Sequence, residues 1–293
     1  CDLLRKVFAA DGIPVAGCLY EEEGVGWDAT APGAWGLPLA PAFLEKISRQ
    51  VDVDGLISLA GQRGFLAAPN WLSDRGTEGP VVAVAGGTGF TLWSRDSVEV
   101  LRTAGAQVRR LDLVEDTALP PGTAGLVLAG TLWPETVPDI AMNTGLLGEI
   151  GRKVRDGLPT VALGGGMLLL LQRVQDALGR TSELAGVIPS QAEILWDLES
   201  PTYVEVQSER DNLLLAKGER RTGWVLTETD LSGAGEGWDS PLRLRSRESA
   251  LETSEGVGTD SLLSSPVMLH LAAGGEMSPR FVGRCVEHAG GAE

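Results

Sequence analysis

The sequence predicts an α/β protein: a parallel sheet with helices on both faces, preceded by a smaller α/β piece. Three observations carry that prediction. Short apolar runs alternate with amphipathic helices between residues 80 and 166, the rhythm of a parallel sheet. Glycines stand where helices must stop, at Gly105 and Gly157. The stretch TVALGGGMLLLL joins an apolar strand to an apolar helical run through Gly164, Gly165 and Gly166. Strand, tight turn and helix form either a nucleophile elbow or a phosphate cradle.

In chain order, residues 2–10 place Leu3, Leu4, Val7 and Phe8 on one helical face, and Asp11-Gly12 ends the helix. Residues 13–20 follow as a buried-type strand, and residues 41–60 as two short amphipathic helices divided near Val53. A stretch rich in Gly, Pro and polar residues runs from 61 to 79; the linker is placed at 69–79, between domains at 1–68 and 80–293. In the second domain, strands are expected over 80–87, 107–114, 124–131 and 158–166. The strand at 124–131 is continuously apolar and therefore central. Helices are expected over 94–106, with Val98, Leu101 and Ala104 inward, over 144–157, and over 167–178 behind the glycines. Beyond Gly179 the segments EILWDL, TYVEVQ and TGWVLTETDL read as antiparallel strands. Residues 232–261 have few apolar anchors and read as a long surface loop, partly mobile. A strand over 266–271 and a helix burying Phe281, Val282, Cys285 and Val286 close the chain.

Composition narrows the function. A net charge of −16 disfavours non-specific binding to nucleic acid or to anionic membrane. The strongly apolar run Met167–Leu171 is far shorter than the roughly 20 residues of a membrane span. Cys1, Cys18 and Cys285 are scattered without a CxxC pair, so no disulfide framework or zinc site is expected, and a reducing cytoplasm fits. With only His270 and His288, a histidine-based metal site is not expected. The chain opens on Cys1 inside a helix, which reads as a cut fragment with something before it.

The candidate sites each have a plain alternative. Gly164–Gly166 lack the G-K-[ST] ending of a P-loop and the spread of GxGxxG. The alternative to a nucleotide cradle is a tight turn that lets the helix pack close to the sheet. AGTLWPE ends a strand where pockets of open sheets lie, so Trp133 and Glu135 either line a pocket or belong to a loop with a buried Trp. His270 is either a base or, more in keeping with a lone histidine in an apolar strand, a satisfied core residue. Cys285 reads as an inward apolar position. The eight Trp residues are dispersed and form no stacking stripe.

Taken together, residues 81–288 resemble the amidotransferase domain of the cobyrinic acid a,c-diamide synthase family, one of the class I glutamine amidotransferase-like proteins. The likeness rests on the order and spacing of motifs. VVAVAGGTGFTLWSRDSVEVLRTAGAQV is similar to the family's opening strand and helix, with Phe90 and Asp96 in step. DLVEDTALPPGTAGLVLAGTLWPE and AMNTGLLGEI, with Asn143, continue it. GLPTVALGGGMLLL resembles its elbow, and SSPVMLHLAAGGEMSPRFVGRCVEHA its closing strand and helix. Residues 2–60, with GIPVAG and VDVDGLISLA, resemble the tail of the family's N-terminal ATPase domain. The resemblance implies a flavodoxin-like parallel sheet behind the remnant of a P-loop ATPase-type domain. It also implies an ATP- and Mg-dependent amidoligase that amidates acetate side chains of a tetrapyrrole with ammonia from glutamine.

Carried over position by position, the family's catalytic Cys falls on Gly164 and the Glu before it on Leu163. Its base His falls on Met268, and only the second His survives, as His270. Of the loop glycines, Gly130 alone is kept, with Thr131 and Leu132 replacing the others. The histidine-bearing segment before the closing strand is reduced to RTGWVLTE. The P-loop for ATP and Mg would lie before Cys1, so no cofactor is expected in this chain. No catalytic residue is therefore expected, and Gly130, Trp133, Glu135, Gly165 and His270 remain as binding candidates. Three functions stay open. The first is a glutaminase-dead diamide synthase-like protein that binds a tetrapyrrole or uses free ammonia. The second is a non-catalytic scaffold for a protein partner or a second copy. The third is an amidotransferase with a relocated nucleophile.

Overall fold

The computed structural model describes residues 2–20, 41–62, 78–87, 89–92, 95–176, 178–194, 202–225, 229–230, 240–246 and 252–291. The chain divides into two units, Cys1–Pro69 and Asn70–Glu293. The linker expected at 69–79 lies outside the described residues except for Glu78 and Gly79.

The first unit holds α1 (Asp2–Ala10), α2 (Pro41–Gln50) and α3 (Val53–Gly61). Asp52 starts α3: its carboxylate accepts the Gly55 N–H at 2.9 Å, satisfying one of the free donors of the first turn. The strand expected over 13–20 does not form. Its backbone is taken up at the α2–α3 joint instead, where Asp52 N–H donates to Ala16 O at 2.7 Å and Gly17 makes an isolated bridge to Val51. The apolar face of α1 is present as expected, yet Leu3, Leu4, Val7 and Phe8 are exposed. Among the described residues of this unit no hydrophobic side chain is buried. Cys18 is disulfide-bonded, contrary to the expectation from its spacing.

The second unit opens with β1 (Val81–Ala85), β2 (Phe90–Leu92), α4 (Arg95–Thr103), β3 (Gln107–Leu111) and β4 (Thr123–Leu132). After a short 3-10 turn at Pro134–Thr136 come α5 (Val137–Met142), α6 (Thr144–Arg155), β5 (Thr160–Gly164) and α7 (Gly165–Leu169). There follow β6 (Leu171–Asp176), β7 (Thr181–Glu183), β8 (Ile188–Ile194), β9 (Thr202–Ser208), β10 (Arg220–Val225) and β11 (Thr229–Asp230). The chain then forms β12 (Leu242–Ser246), β13 (Glu252–Glu255), β14 (Val257–Gly258), β15 (Leu262–Ser265), β16 (Val267–Leu269) and α8 (Met277–Gly290).

Five mutually parallel strands run side by side as β3-β1-β4-β5-β15, with β2 and β14 added antiparallel. In order of appearance this is 2-1-3-4-5, the flavodoxin-like order. Side chains alternate between two cores. Leu126 and Leu128 of β4 join Ile140, Leu146 and Ile150 from α5 and α6 on one face. Val127 and Ala129 join Leu101 of α4 and Phe281 of α8 on the other. Gly105 and Gly157 stop α4 and α6 with φ of +103° and +95°, as read from the sequence. Asn143 ties the α5–α6 joint to the turn after β3, donating to Leu113 O at 3.0 Å and Asp116 O at 2.7 Å.

Four expectations need correction. The helix expected over 167–178 ends at Leu169, and β6 begins two residues later. Met167–Leu171 are all buried, so the run carries no periodicity that separates helix from strand. The segment 232–261 is not simply a loop: Leu242–Ser246 pairs with β9, Glu252–Glu255 pairs with β12, and Val257–Gly258 edges the parallel sheet. The closing strand expected over 266–271 is only Val267–Leu269, and a further strand precedes it. Leu262–Ser265 extends the parallel sheet beside β5, while Val267–Leu269 crosses to a five-stranded antiparallel sheet ordered β13-β12-β9-β10-β16. Val286 is exposed rather than inward, because α8 buries the side bearing Met277, Phe281, Val282 and Cys285. The remaining sheet, β11-β8-β6-β7, lies outside the parallel layer; residues 195–198 of the expected strand EILWDL fall outside the described residues.

Candidate active site at the glycine elbow

The C-terminal ends of β4 and β5 bring Gly130 and Gly164 into register as neighbours. Gly164 turns the chain from β5 into α7 with φ of +60° and ψ of −127°, a conformation that glycine adopts and an L side chain resists. That is the sharp strand-to-helix turn of a nucleophile elbow, and the next two residues show why it is glycine-rich. A Cβ on Gly165 would fall 2.3 Å from Leu132 N, and one on Gly166 would fall 1.7 Å from Leu128 O. The glycines let α7 lie against the backbone of β4, as the plain alternative for the triplet predicts.

The tip of the elbow is not open space. A Cβ built on Gly164 would stand 2.3 Å from Met268 Sδ and 3.0 Å from Gly130 O. Met268 is buried and reaches this point from β16, where it sits opposite Trp224 of β10. The two positions expected to be degenerate, Gly164 and Met268, are thus brought into contact by strands more than a hundred residues apart in sequence. Trp224 is the residue that sequence reasoning missed; the signal available was its place in RTGWVLTE.

The other candidates scatter around this centre. Gly130 and Gly165 are part of the elbow itself. Trp133 is half-buried just beyond β4, its N–H donating to Gly89 O at 3.1 Å, and Glu135 is exposed in the short turn that follows. His270 lies just past β16, not within it; it is half-buried, and its carbonyl accepts the Ala273 N–H at 2.9 Å. Cys285 is fully buried on α8, where its sulfur fills the space a Cβ on Gly125 would need. Gly125 lies near the start of β4 and Gly130 near its other end, roughly 17 Å along the strand. Burial pushes the Cys285 thiol up to about 12, away from the thiolate a nucleophile requires. Among the described residues no three His, Cys, Asp or Glu side chains stand together as a metal site would require, and no helix is long and apolar enough to cross a membrane.

Sheet order and elbow together define a flavodoxin-like α/β fold with the strand–turn–helix junction of a nucleophile elbow. No family model matches the sequence. The chain is 28% identical over 299 residues to hydrogenobyrinate a,c-diamide synthase of Thermobifida fusca, a match covering 92% of the chain and 60% of that protein. It is 28% identical over 204 residues to cobyrinate a,c-diamide synthase of Caldanaerobacter subterraneus, and 26% over 238 residues to that of Salmonella typhimurium. Those matches cover 70% and 80% of the chain and 45% and 51% of the relatives. The chain is similar over most of its length to cobyrinate and hydrogenobyrinate a,c-diamide synthases, as its motifs led us to expect, and spans about half the length of the relatives it matches. Among solved structures, one glutamine amidotransferase superposes with a TM-score of 0.46 at 15% identity, covering 71% of this chain and 98% of that one. A glutamine amidotransferase from Thermotoga maritima gives 0.43 at 13% identity, covering 73% and 85%.

Proposed function

We propose that this chain is the amidotransferase-like part of a cobyrinate a,c-diamide synthase-like protein, in which glutamine hydrolysis has been lost. One observation supports the reading above all. The elbow keeps its backbone geometry while its two chemical positions are a glycine and a methionine in contact, with Met268 Sδ in the place of a side chain. Glutaminase chemistry of this type needs a thiolate to attack the amide carbon and a base to move its proton. Gly164 offers no nucleophile, and a thioether carries no proton to exchange. Cys285 is buried at the far end of β4, and Cys18 is held in a disulfide, so neither supports a relocated nucleophile.

In this reading the protein binds a tetrapyrrole acid and either receives ammonia made elsewhere or acts without amidation. Residues 1–68 are read as the tail of an ATPase-like domain. Their apolar helix faces, unburied among the described residues, support that reading, since the end of a larger α/β domain presents such faces to the rest of it. ATP and Mg would then be held by residues outside this chain, and no step is routed through them.

The test is glutamate release from glutamine by the purified chain. The expected result is no turnover above buffer. Gly164→Cys alone is expected to stay inactive, because Met268 occupies the space beside the new thiol and supplies no base. Turnover by the unaltered chain that disappears on changing Cys18 or Cys285 overturns the proposal.

A further inference from the structure

The first turn of α8 faces a charged cluster that takes no part in the elbow. Arg221 of β10 donates through Nη2 to Glu219 Oε1, and Arg280 Nη2 of α8 stands 3.8 Å from Glu219 Oε2. The same Oε2 also accepts the Ala216 N–H at 2.9 Å. Among the described residues, one carboxylate therefore serves two guanidinium groups, and one positive charge is left unmatched. The Nε–H of both arginines is buried without a hydrogen-bond partner. Both guanidinium-bearing side chains still reach solvent, at 20% and 32% exposure.

The surroundings sharpen the imbalance. The N-terminus of a helix carries partial positive charge and repels cations. Here it has no side-chain cap: Glu276 at the N-cap position makes no capping hydrogen bond and is exposed. Gly274 and Gly275, with φ of +92° and +85°, carry the chain tightly over Arg221; a Cβ on Gly275 would fall 2.2 Å from Arg221 Nη2. A chain with 40 acidic and 24 basic residues gives this pair no general reason to be short of acid partners.

We propose that Arg221 and Arg280 form a binding site for a small oxyanion, the phosphate or carboxylate group of a ligand. The planar, multidentate guanidinium matches such groups, and the anion supplies the charge that Glu219 alone does not. Arg221 and Trp224 alternate to opposite faces of β10, so the site lies on the other side of that strand from Met268 and stands apart from the elbow.

Thermal unfolding and calorimetric titration of the whole chain test this, with inorganic phosphate, acetate and chloride at matched ionic strength. Phosphate or acetate is expected to raise the unfolding midpoint saturably while chloride does not, and whichever anion acts identifies the group recognised. Arg280→Gln is expected to weaken that binding by about tenfold or more, through loss of a charge-assisted contact. Glu219→Gln is expected to tighten it, because the internal competitor for both arginines loses its charge. If Arg280→Gln does not fold, Arg280→Lys takes its place, keeping the charge and losing the fork, and is expected to weaken binding as well. No saturable response to either oxyanion, or a response unchanged by the Arg280 variant, overturns the proposal.

Discussion

At the scale of single residues, the contact between Gly164 and Met268 makes a prediction that neither position makes alone. Gly164→Ala meets both an unfavourable backbone conformation and the Met268 sulfur, and is expected to destabilise the protein by about 2 kcal/mol or more. In a Met268→Ala background the sulfur is gone, and the same change should cost about 1 kcal/mol less. Urea denaturation of the four variants in this cycle measures the difference; strict additivity would count against the contact. Cys285 makes a second prediction. Its thiol is raised from 9.0 to about 12 by burial, so it favours the folded state fully below pH 9 and loses that contribution as pH rises towards 12. Native protein at pH 8 should leave Cys285 unlabelled by a thiol reagent until unfolding. Between pH 9 and 11 the unaltered protein should lose more stability than Cys285→Ala.

At the scale of elements, two glycines of the same unit should respond in opposite ways to the same substitution. Gly166 lies in α7, where a Cβ would collide with the backbone oxygen of Leu128 at 1.7 Å. Backbone cannot swing aside as a side chain can, so Gly166→Ala is expected to cost about 3 kcal/mol or more, or to prevent folding. Gly148 lies inside α6 with nothing within 4 Å of its Cβ position. Gly148→Ala should therefore stabilise by about 0.5–1 kcal/mol, the ordinary helix preference for alanine. Melting temperatures of the two variants separate the cases. The contrast explains which part of GGGMLLLL was legible. Three successive glycines pointed to a close backbone approach, and that is what Gly165 and Gly166 serve. The helix expected after them overruns α7 because five buried apolar residues in a row fit a helix and a strand equally well.

At the scale of the whole molecule, the two units differ in kind. The second has apolar cores on both faces of its parallel sheet; the first has no buried hydrophobic side chain among its described residues. Local stability follows buried apolar contact, so the first unit should open far more readily than the second. Limited proteolysis of the chain should remove residues 1–69 early and leave a resistant fragment beginning near Glu78. Equal resistance of both units would show that the first is held by contacts other than apolar burial.

The sequence by itself determined the parallel layer and the bare glycine at its tip. Alternating apolar runs, the glycine stops at Gly105 and Gly157, and the elbow triplet are local signals, set within a few residues of where they act. The absence of a side chain at position 164 needs no structure to be read. Tertiary structure alone decided what stands in that absence. Met268 reaches the elbow from β16, paired there with Trp224 of β10, and no local pattern announces which face of β16 meets β5. The same holds for SLLSSPVML, one apolar stretch that splits between two sheets at Pro266, and for Arg221 and Arg280, which share Glu219 only because β10 and α8 meet. Local preference fixes what an element is; the pairing of distant elements fixes which side chains touch, and that pairing left the elbow filled by a thioether.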